Sequence, residues 1–286
     1  MGTHQGRERI RVRTLFVSDL HLGFRHARVQ EFLGFLEHFQ PAHLYLVGDI
    51  IDGWKLRRSF RWEPLFNEVL SRLYELHEEG TCLFYAPGNH DEFLRRFRWD
   101  FGFVRVADEF VYEAGDGRRY LVTHGDRYDR VECGARWLSV VASIGYDSLL
   151  SVSRHVCRWR GGGLRGHYAF SAAVKQRVKQ VVRYISDFEQ RLMAAAATRR
   201  CDGVICGHVH TPQLRWDGPQ VYVNLGDWVE NCTAFVEYET GECALLRCVE
   251  GEILVEQMLA PTRVVACTSP HAEPHSAAGC QRRATA

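Results

Sequence analysis

The first hundred residues alternate between short apolar runs and segments in which apolar residues recur at helical spacing. Buried strands are predicted at the runs TLFV, HLYLV and TCLFY, each of which is followed by polar residues. Helical spacing predicts helices over residues 29–39, which Pro41 ends, and over residues 65–76. The resulting order β-α-β-α-β is typical of parallel strands joined by right-handed crossovers.

After residue 103 the pattern changes to short strand-like runs separated by turn signals. These predicted strands cover residues 104–111, 120–123, 203–206, 221–225, 233–238 and 244–249. Residues 131–199 interrupt them with a mostly helical segment, which we interpret as an inserted helical lid. The predicted organisation is one α/β (α+β) domain over residues 13–260, with a flexible N-terminus at 1–12 and a disordered tail at 261–286.

Composition narrows the class of protein without indicating a function. Hydrophobic residues make up 46% of the chain and the formal net charge is +1, as in soluble globular proteins, so we expect no nucleic-acid partner. The polar N-terminus lacks the apolar core of a secretory signal, and no apolar run is long enough to span a membrane. The ten cysteines include no C-x-x-C pair, which favours a reducing compartment, and we expect a cytoplasmic protein.

Five polar clusters follow predicted strands. They are Asp19 with His21, Asp49 with Asp52, Asn89 with His90 and Asp91, His124 with Asp126, and His208 with His210. In open α/β folds ligands bind at the carboxyl ends of strands, so we expect the five loops to converge on one crevice.

Each cluster alone is more often a solvated turn, in which Asn89 forms an Asx turn and His90 is simply exposed. Solvated turns do not explain why five such clusters all follow predicted strands. Carboxylate, amide and imidazole groups without a thiolate suit divalent first-row metals. Seven such side chains exceed the need of one ion, which favours two ions that share a bridging carboxylate.

The series D-x-H, G-D-x-x-D, G-N-H-D, H-G-D and G-H-x-H resembles the calcineurin-like metallophosphoesterase superfamily over roughly residues 13–250. The resemblance implies a four-layer α-β-β-α sandwich with two divalent metal ions, Mn²⁺ foremost, while Fe and Zn²⁺ accept the same ligands. It further implies that Asp49 bridges the two ions and that six other residues complete the sites: Asp19, His21 and His210 for the first ion, and Asn89, His124 and His208 for the second. Asp52 and Asp126 match positions that orient these ligands.

The same resemblance implies hydrolysis at phosphorus. His90 would face the substrate as a catalytic residue beside Asn89, and stabilise or protonate the leaving oxygen. Asp91 would hold the His90 imidazole in one tautomer and favour its protonated form.

The stretches VSDLHLG, YLVGDIIDGWKLRRSF and GVICGHVHTP further resemble the bacterial UDP-2,3-diacylglucosamine diphosphatase branch, whose members act in lipid A biosynthesis. His90 stands where the best-known form of that enzyme has Arg, so the chain resembles a divergent G-N-H-D subgroup. The resemblance implies a nucleotide-linked lipid as substrate and peripheral contact with the cytoplasmic face of the inner membrane.

The predicted lid gives a separate indication of lipid binding. Residues 131–200 contain twelve Lys or Arg against four Asp or Glu, beside an apolar stripe at near-helical spacing. These residues predict a surface for an anionic lipid, with Trp137, Arg154 and Arg158 as substrate-binding candidates. The alternatives are a helical hairpin that packs on the core with a solvated basic face and, third, a nucleic-acid groove.

Two rival functions remain on the same residues. The first is a phosphodiesterase or nuclease that acts on soluble nucleotides. The second is a non-catalytic scaffold that retains the fold, although such a protein would be expected to lose ligands or the substrate-facing histidine, and here all are present.

Overall fold

The structure of the protein is a computed structural model, which describes residues 9–97, 99–129 and 183–259. Its strands are β1 (Ile10–Val17), β2 (Phe39–Leu46), β3 (Cys82–Tyr85), β4 (Trp99–Phe101), β5 (Val104–Val106), β6 (Phe110–Glu113), β7 (Arg119–Val122), β8 (Gly203–Cys206), β9 (Gln213–Asp217), β10 (Gln220–Asn224), β11 (Thr233–Tyr238), β12 (Cys243–Val249) and β13 (Glu252–Leu259). Its α-helices are α1 (Val29–Leu36), α2 (Gly53–Arg58), α3 (Pro64–Glu78) and α4 (183–198), and short 3₁₀ helices cover Glu92–Arg96 and Asp126–Tyr128.

The strands form two mixed sheets. The larger has the order β13-β12-β11-β1-β2-β3-β5-β4, in which β1, β2, β3 and β5 are parallel. The smaller has the order β6-β7-β8-β10-β9, in which β7, β8 and β10 are parallel. Parallel strands place their carboxyl ends at one edge, and in both sheets polar loops follow these ends.

Three buried apolar clusters separate four layers. The first joins α1 and α3 to the outer face of the large sheet, the second fills the space between the sheets, and the third joins the small sheet to α4. Phe35, Phe16 and Phe188 are representative members, and each is at most 1% exposed. Strand side chains alternate between adjacent clusters, as Leu15 and Phe16 do. This arrangement confirms the predicted α-β-β-α sandwich.

The structure corrects several predicted boundaries. α1 ends at Leu36, and Phe39 and Pro41, predicted to end and follow this helix, both lie in β2. Pro41 is tolerated because β3 pairs with β2 only from His43 onward, so the missing N–H leaves no β3 carbonyl without a donor. The first strand begins at Ile10, so residues 10–12, predicted to be flexible, belong to the sheet.

The predicted strand over residues 104–111 is two strands in different sheets. β5 belongs to the large sheet and β6 to the small one, and residues 107–109 carry the chain between them. Residues 183–198 of the predicted lid form α4, which packs on the small sheet. Most of the predicted lid and the predicted tail lie outside the described residues.

Candidate metal centre

Loops after β1, β2, β7 and β8 bring predicted ligands into contact. Oδ1 of Asp19 lies 3.0 Å from Nε2 of His210 and 3.8 Å from Nε2 of His21. Oδ2 of Asp49 lies 3.4 Å from Nε2 of His124. Within the described residues, two groups made entirely of predicted ligands have ligand atoms close enough to share an ion: Asp19 with His21 and His210, and Asp19 with Asp49 and His124. Loops far apart in sequence therefore converge as predicted.

The backbone at these ligands is strained. Asp19, His21, Asp49, His208 and His210 have φ between 50° and 71°, in the left-handed region that side chains other than glycine rarely adopt. Such conformations cost about 1–3 kcal/mol each and persist where the surrounding structure imposes them. Five of the seven predicted ligands share this strain, which indicates that the fold holds them for a purpose other than stability.

Two glycines permit the close approach of the loops. A Cβ at Gly88 would lie 2.3 Å from Oδ1 of Asp49, and a Cβ at Gly207 would lie 2.3 Å from Oδ2 of Asp19. Both distances are far below van der Waals contact, so a larger residue at either position would displace a carboxylate. The glycines that precede Asn89 and His208 are thus part of the construction of the site.

Three predicted ligand atoms have no hydrogen-bond partner although they are buried. They are Nε2 of His21, Oδ1 of Asn89 and Nε2 of His124. A buried polar atom without a partner costs about 1–3 kcal/mol, so native proteins rarely leave one without a reason. Imidazole nitrogen and amide oxygen are neutral donors to divalent cations, and a bound ion would satisfy all three. The residues present therefore fit the two metal ions that this type of site requires.

The carboxylates at the centre are fully buried yet ionised. Burial raises the pKa of Asp49, but the charges of His124, His21 and His90 outweigh it and hold the pKa below its ordinary value. Burial likewise raises the pKa of Asp19, and the neighbouring His210 and His124 reverse this shift. Buried negative charge of this kind has to be balanced by cations, which suits a metal centre.

His208 is placed at the edge of this cluster. Its ring centre lies 5.2 Å from that of His124, and its Nε2 lies 2.9 Å from Oδ2 of Asp129. It therefore lies beside His124, a predicted ligand of the second ion, but neither ligand group given above includes it. Its role as a ligand stays a prediction, and Asp129 is a contact that the sequence did not indicate.

His90 lies beside the cluster, with its side chain 18% exposed. Nδ1 of His90 lies 2.9 Å from Oδ1 of Asp52, and because a carboxylate only accepts, Nδ1–H donates this bond. Burial lowers the pKa of His90, but the Asp52 hydrogen bond and the charge of Asp49 raise it above its ordinary value. Nε2 of His90 lies 3.9 Å from Asp49 and belongs with His21 and Asp49 to a third group that can hold an ion. The assignment of His90 to the substrate thus stays a proposal.

The predicted role of Asp91 is wrong. Its carboxylate is fully buried and accepts hydrogen bonds from the Gly88 and Ile50 amides, at 2.6 and 2.9 Å, and from the Tyr85 hydroxyl. Asp52, three residues beyond Asp49, holds His90 instead. Asp91 directs its carboxylate at these buried donors, whereas the His90 ring lies beside Asp52 and the metal-centre residues. Burial and the charge of Asp49 raise the pKa of Asp91 to about 6.

Asp52 and Asp126 each make contacts in the loops of the site, and their role in orienting the ligands stays a prediction. Asp52 caps α2 by accepting from the Lys55 amide at 2.9 Å, in addition to its bond with His90. Asp126 accepts from Nη2 of Arg95 at 2.7 Å, and the same nitrogen donates to the Pro87 carbonyl at 2.9 Å. Arg95 therefore ties the loop that carries Asn89 to the loop that carries His124.

Two further side chains, Trp54 and Asp227, contact residues of the site. The Trp54 ring lies over the His90 ring with 4.1 Å between centroids, while 51% of Trp54 is exposed. Asp227 is fully buried, caps the turn after it and lies 4.0 Å from Nδ1 of His210. Its neighbour Trp228 is a core residue. Trp54 lies two residues after the motif that contains Asp49 and Asp52, and this was the only sign in the sequence that it could be near the site. A lone aromatic residue at that position does not indicate that its partner is His90.

The predicted substrate-binding residues Trp137, Arg154 and Arg158 lie outside the described residues. No helix within the described ranges is long and apolar enough to cross a bilayer. The metal-centre residues are thus the part of the predicted site that the structure describes.

Comparison with known proteins places this geometry in a family. The family model described as calcineurin-like phosphoesterase matches residues 12–212. Proteins named UDP-2,3-diacylglucosamine hydrolase from Yersinia pseudotuberculosis and Yersinia pestis are 34% identical over 117 residues, which is 40% of this chain. The match spans about half the length of these relatives, 48%.

Similar solved structures include the phosphoesterase YfcE from E. coli and a single mutant of Vps29 from Entamoeba histolytica. YfcE is 12% identical with a TM-score of 0.45, over 87% of this chain and 99% of that one. The Vps29 mutant is 12% identical with a TM-score of 0.47, over 86% and 97%. Likenesses at this level establish no further property of the chain. By the family match over most of its length, the chain belongs to the calcineurin-like phosphoesterase family, a family of metal-dependent hydrolases with a dinuclear centre.

Proposed function

We propose that the protein is a metal-dependent hydrolase that cleaves the diphosphate bond of a nucleotide-linked lipid, UDP-2,3-diacylglucosamine, in lipid A biosynthesis. The observation that carries the hydrolase assignment is the set of buried ligand atoms without a partner, contributed by His21, Asn89 and His124 around two ionised carboxylates. The relatives named UDP-2,3-diacylglucosamine hydrolase support the choice of substrate.

In this proposal seven residues hold two divalent ions, with Mn²⁺ as the resident metal. Asp49 is central because it lies in two of the three groups whose ligand atoms cluster, beside His124 in one and His21 in the other. The ions would supply charge stabilisation for the phosphoryl oxygens and activate the attacking water. A centre of oxygen and nitrogen donors without a thiolate suits Mn²⁺, and also Fe or Zn²⁺.

His90 supplies proton transfer in this scheme. Its Nδ1–H donates to Asp52, so the tautomer and the ring plane are fixed and Nε2 is left to act toward the leaving oxygen. The raised pKa of His90 favours the protonated ring, which is the form that can donate a proton. General acid catalysis of this kind accelerates reactions by roughly 10²–10⁴-fold.

Substrate selection is assigned to the segment around residues 137–159. Trp137 would contact an acyl chain, and Arg154 and Arg158 would pair with phosphate or anionic head groups. We propose that the protein is cytoplasmic and acts at the cytoplasmic face of the inner membrane, where such a substrate resides.

The test is an assay of the full chain, loaded with Mn²⁺, against UDP-2,3-diacylglucosamine and against a small aryl phosphodiester. We expect turnover of both, a higher kcat/KM for the lipid, and a raised KM for the lipid alone in Trp137→Ser. Turnover restricted to soluble nucleotide diesters would replace the lipid substrate with the nucleotide phosphodiesterase alternative. No turnover of any ester by the fully loaded chain would indicate a scaffold and overturn the hydrolase.

A further inference from the structure

The segment that follows Asp52 is unusually basic and aromatic. Residues 53–62, GWKLRRSFRW, contain four basic and three aromatic residues and no acidic one. Phe60 is 80% exposed, whereas no other large hydrophobic side chain in the described residues exceeds 54%. A single exposed apolar side chain is common on protein surfaces, and what distinguishes Phe60 is the basic charge around it.

Arginines surround this phenylalanine. Arg57 and Arg58 precede it, both exposed, and within the described ranges neither makes an ion pair. Arg61 follows it and pairs with Glu63 at 3.0 Å while its side chain stays 64% exposed. An apolar side chain flanked by two arginines without ion pairs in the described part of the chain, and by a third that stays exposed, complements a surface that combines negative charge with an apolar interior.

Contacts with His90 fix the start of this segment beside the metal centre. Asp52 caps α2 and bonds to His90, and the Gly53 amide donates to the His90 carbonyl at 3.0 Å. A helix of this length spans about 9 Å. Phe60, two residues after the end of α2, therefore stands within roughly 15 Å of Asp52, the residue that holds His90.

We propose that residues 57–61 dock the protein onto the surface of an anionic phospholipid bilayer. Phe60 inserts its ring at the level of the head groups, and Arg57, Arg58 and Arg61 contact lipid phosphates. Of the three aromatic side chains in residues 53–62, Trp54 lies over His90 and Trp62 packs against Phe66. Phe60 is therefore not part of the row of stacking platforms that single-stranded nucleic acid requires, which favours the bilayer. Docking here would bring the metal centre close to the membrane, where a lipid-linked substrate would be present.

This contact is separate from the proposed substrate contacts of residues 137–159, and its test requires no catalysis. The full chain is sedimented with vesicles of phosphatidylcholine, with and without phosphatidylglycerol, over a range of salt concentrations. We expect binding only with phosphatidylglycerol, and binding that weakens with salt. Phe60→Ser should lower the partition coefficient about tenfold, as the loss of a partly buried Phe implies. Arg57→Gln and Arg58→Gln should each lower it about fivefold, which corresponds to ~1 kcal/mol per basic residue.

Leu254→Ser is the matched control, because Leu254 is 48% exposed on the edge strand β13, and its binding should equal that of the wild type. Turnover of the aryl phosphodiester by Phe60→Ser should stay at the wild-type rate, which confirms the fold. Undiminished vesicle binding by Phe60→Ser and the arginine variants would overturn the proposal, as would failure of the wild type to bind anionic vesicles. Preferential binding of a single-stranded oligonucleotide would overturn it in favour of nucleic acid.

Discussion

Replacement of Asp91 by Ala separates the role that the structure gives this residue from the role that the sequence suggested. Asp91 joins three elements, because its carboxylate accepts from the Gly88 amide, the Ile50 amide and the Tyr85 hydroxyl. All of these contacts are buried. Asp91→Ala should therefore act mainly on stability and on the position of the Asn89 loop, and Asp52→Ala should act on His90.

The expected loss of stability in Asp91→Ala follows from the three buried donors that would lose their acceptor. Each buried donor without a partner costs about 1–3 kcal/mol. Removal of the carboxyl also relieves its repulsion with Asp49, which is one reason why the pKa of Asp91 is raised to about 6. After this offset we expect a net destabilisation of about 2–4 kcal/mol, or a fall in Tm of roughly 4–16 °C. Asp52→Ala removes one helix cap, worth ~1 kcal/mol or ~2–4 °C.

The assay combines calorimetric Tm with turnover of an aryl phosphodiester. Asp52→Ala should lose activity with a small change in Tm, and Asp91→Ala should show the large fall in Tm. Glu237→Ala is the control, because Glu237 is another fully buried carboxylate that accepts from the Gly115 amide, away from the metal loops. It should lower Tm and leave metal content unchanged. If Asp91→Ala keeps the wild-type Tm while Asp52→Ala keeps full turnover, the reasoning is refuted.

Further substitutions test individual contacts. His90→Ala should retain both ions and lose turnover, and Asp49→Ala should lose metal as well; equal metal loss in both would make His90 a ligand. Arg95→Ala should weaken binding of one ion, measured by calorimetric titration, because it frees the Asn89 loop from Asp126, and unchanged affinity for both ions would contradict this. Gly207→Ala should cost about 1–3 kcal/mol through its clash with Asp19 and lower metal content, whereas a variant with wild-type Tm and metal content would show that the loop adapts.

Much of the site followed from the sequence because strand ends and polar motifs coincide. Short apolar runs located β3, β8 and β11 to within a residue, and the parallel arrangement brought Asp19, Asp49 and His124 together as expected. The sequence could not show which way each loop side chain points. The direction of these side chains decides whether Asp91 or Asp52 contacts His90, and this direction depends on the turn after β3.

Contacts between distant segments were also beyond the sequence. Asp129 touches His208, and Arg95 touches Asp126, across loops that no local pattern relates. The boundary errors have a similar cause, since Pro41 is acceptable in β2 only because β3 is short at that end. Secondary-structure propensity describes one segment of the chain at a time, whereas these contacts and boundaries depend on the segment that packs beside it.

The most direct test of the account is the metal content of the purified full chain. The protein is loaded with Mn²⁺, freed of unbound ions and measured by plasma mass spectrometry against its concentration. Because three buried ligand atoms without partners surround two ionised carboxylates, the account predicts two ions per chain. A chain that binds one ion or none while it remains folded would contradict the dinuclear centre on which the proposed hydrolysis rests.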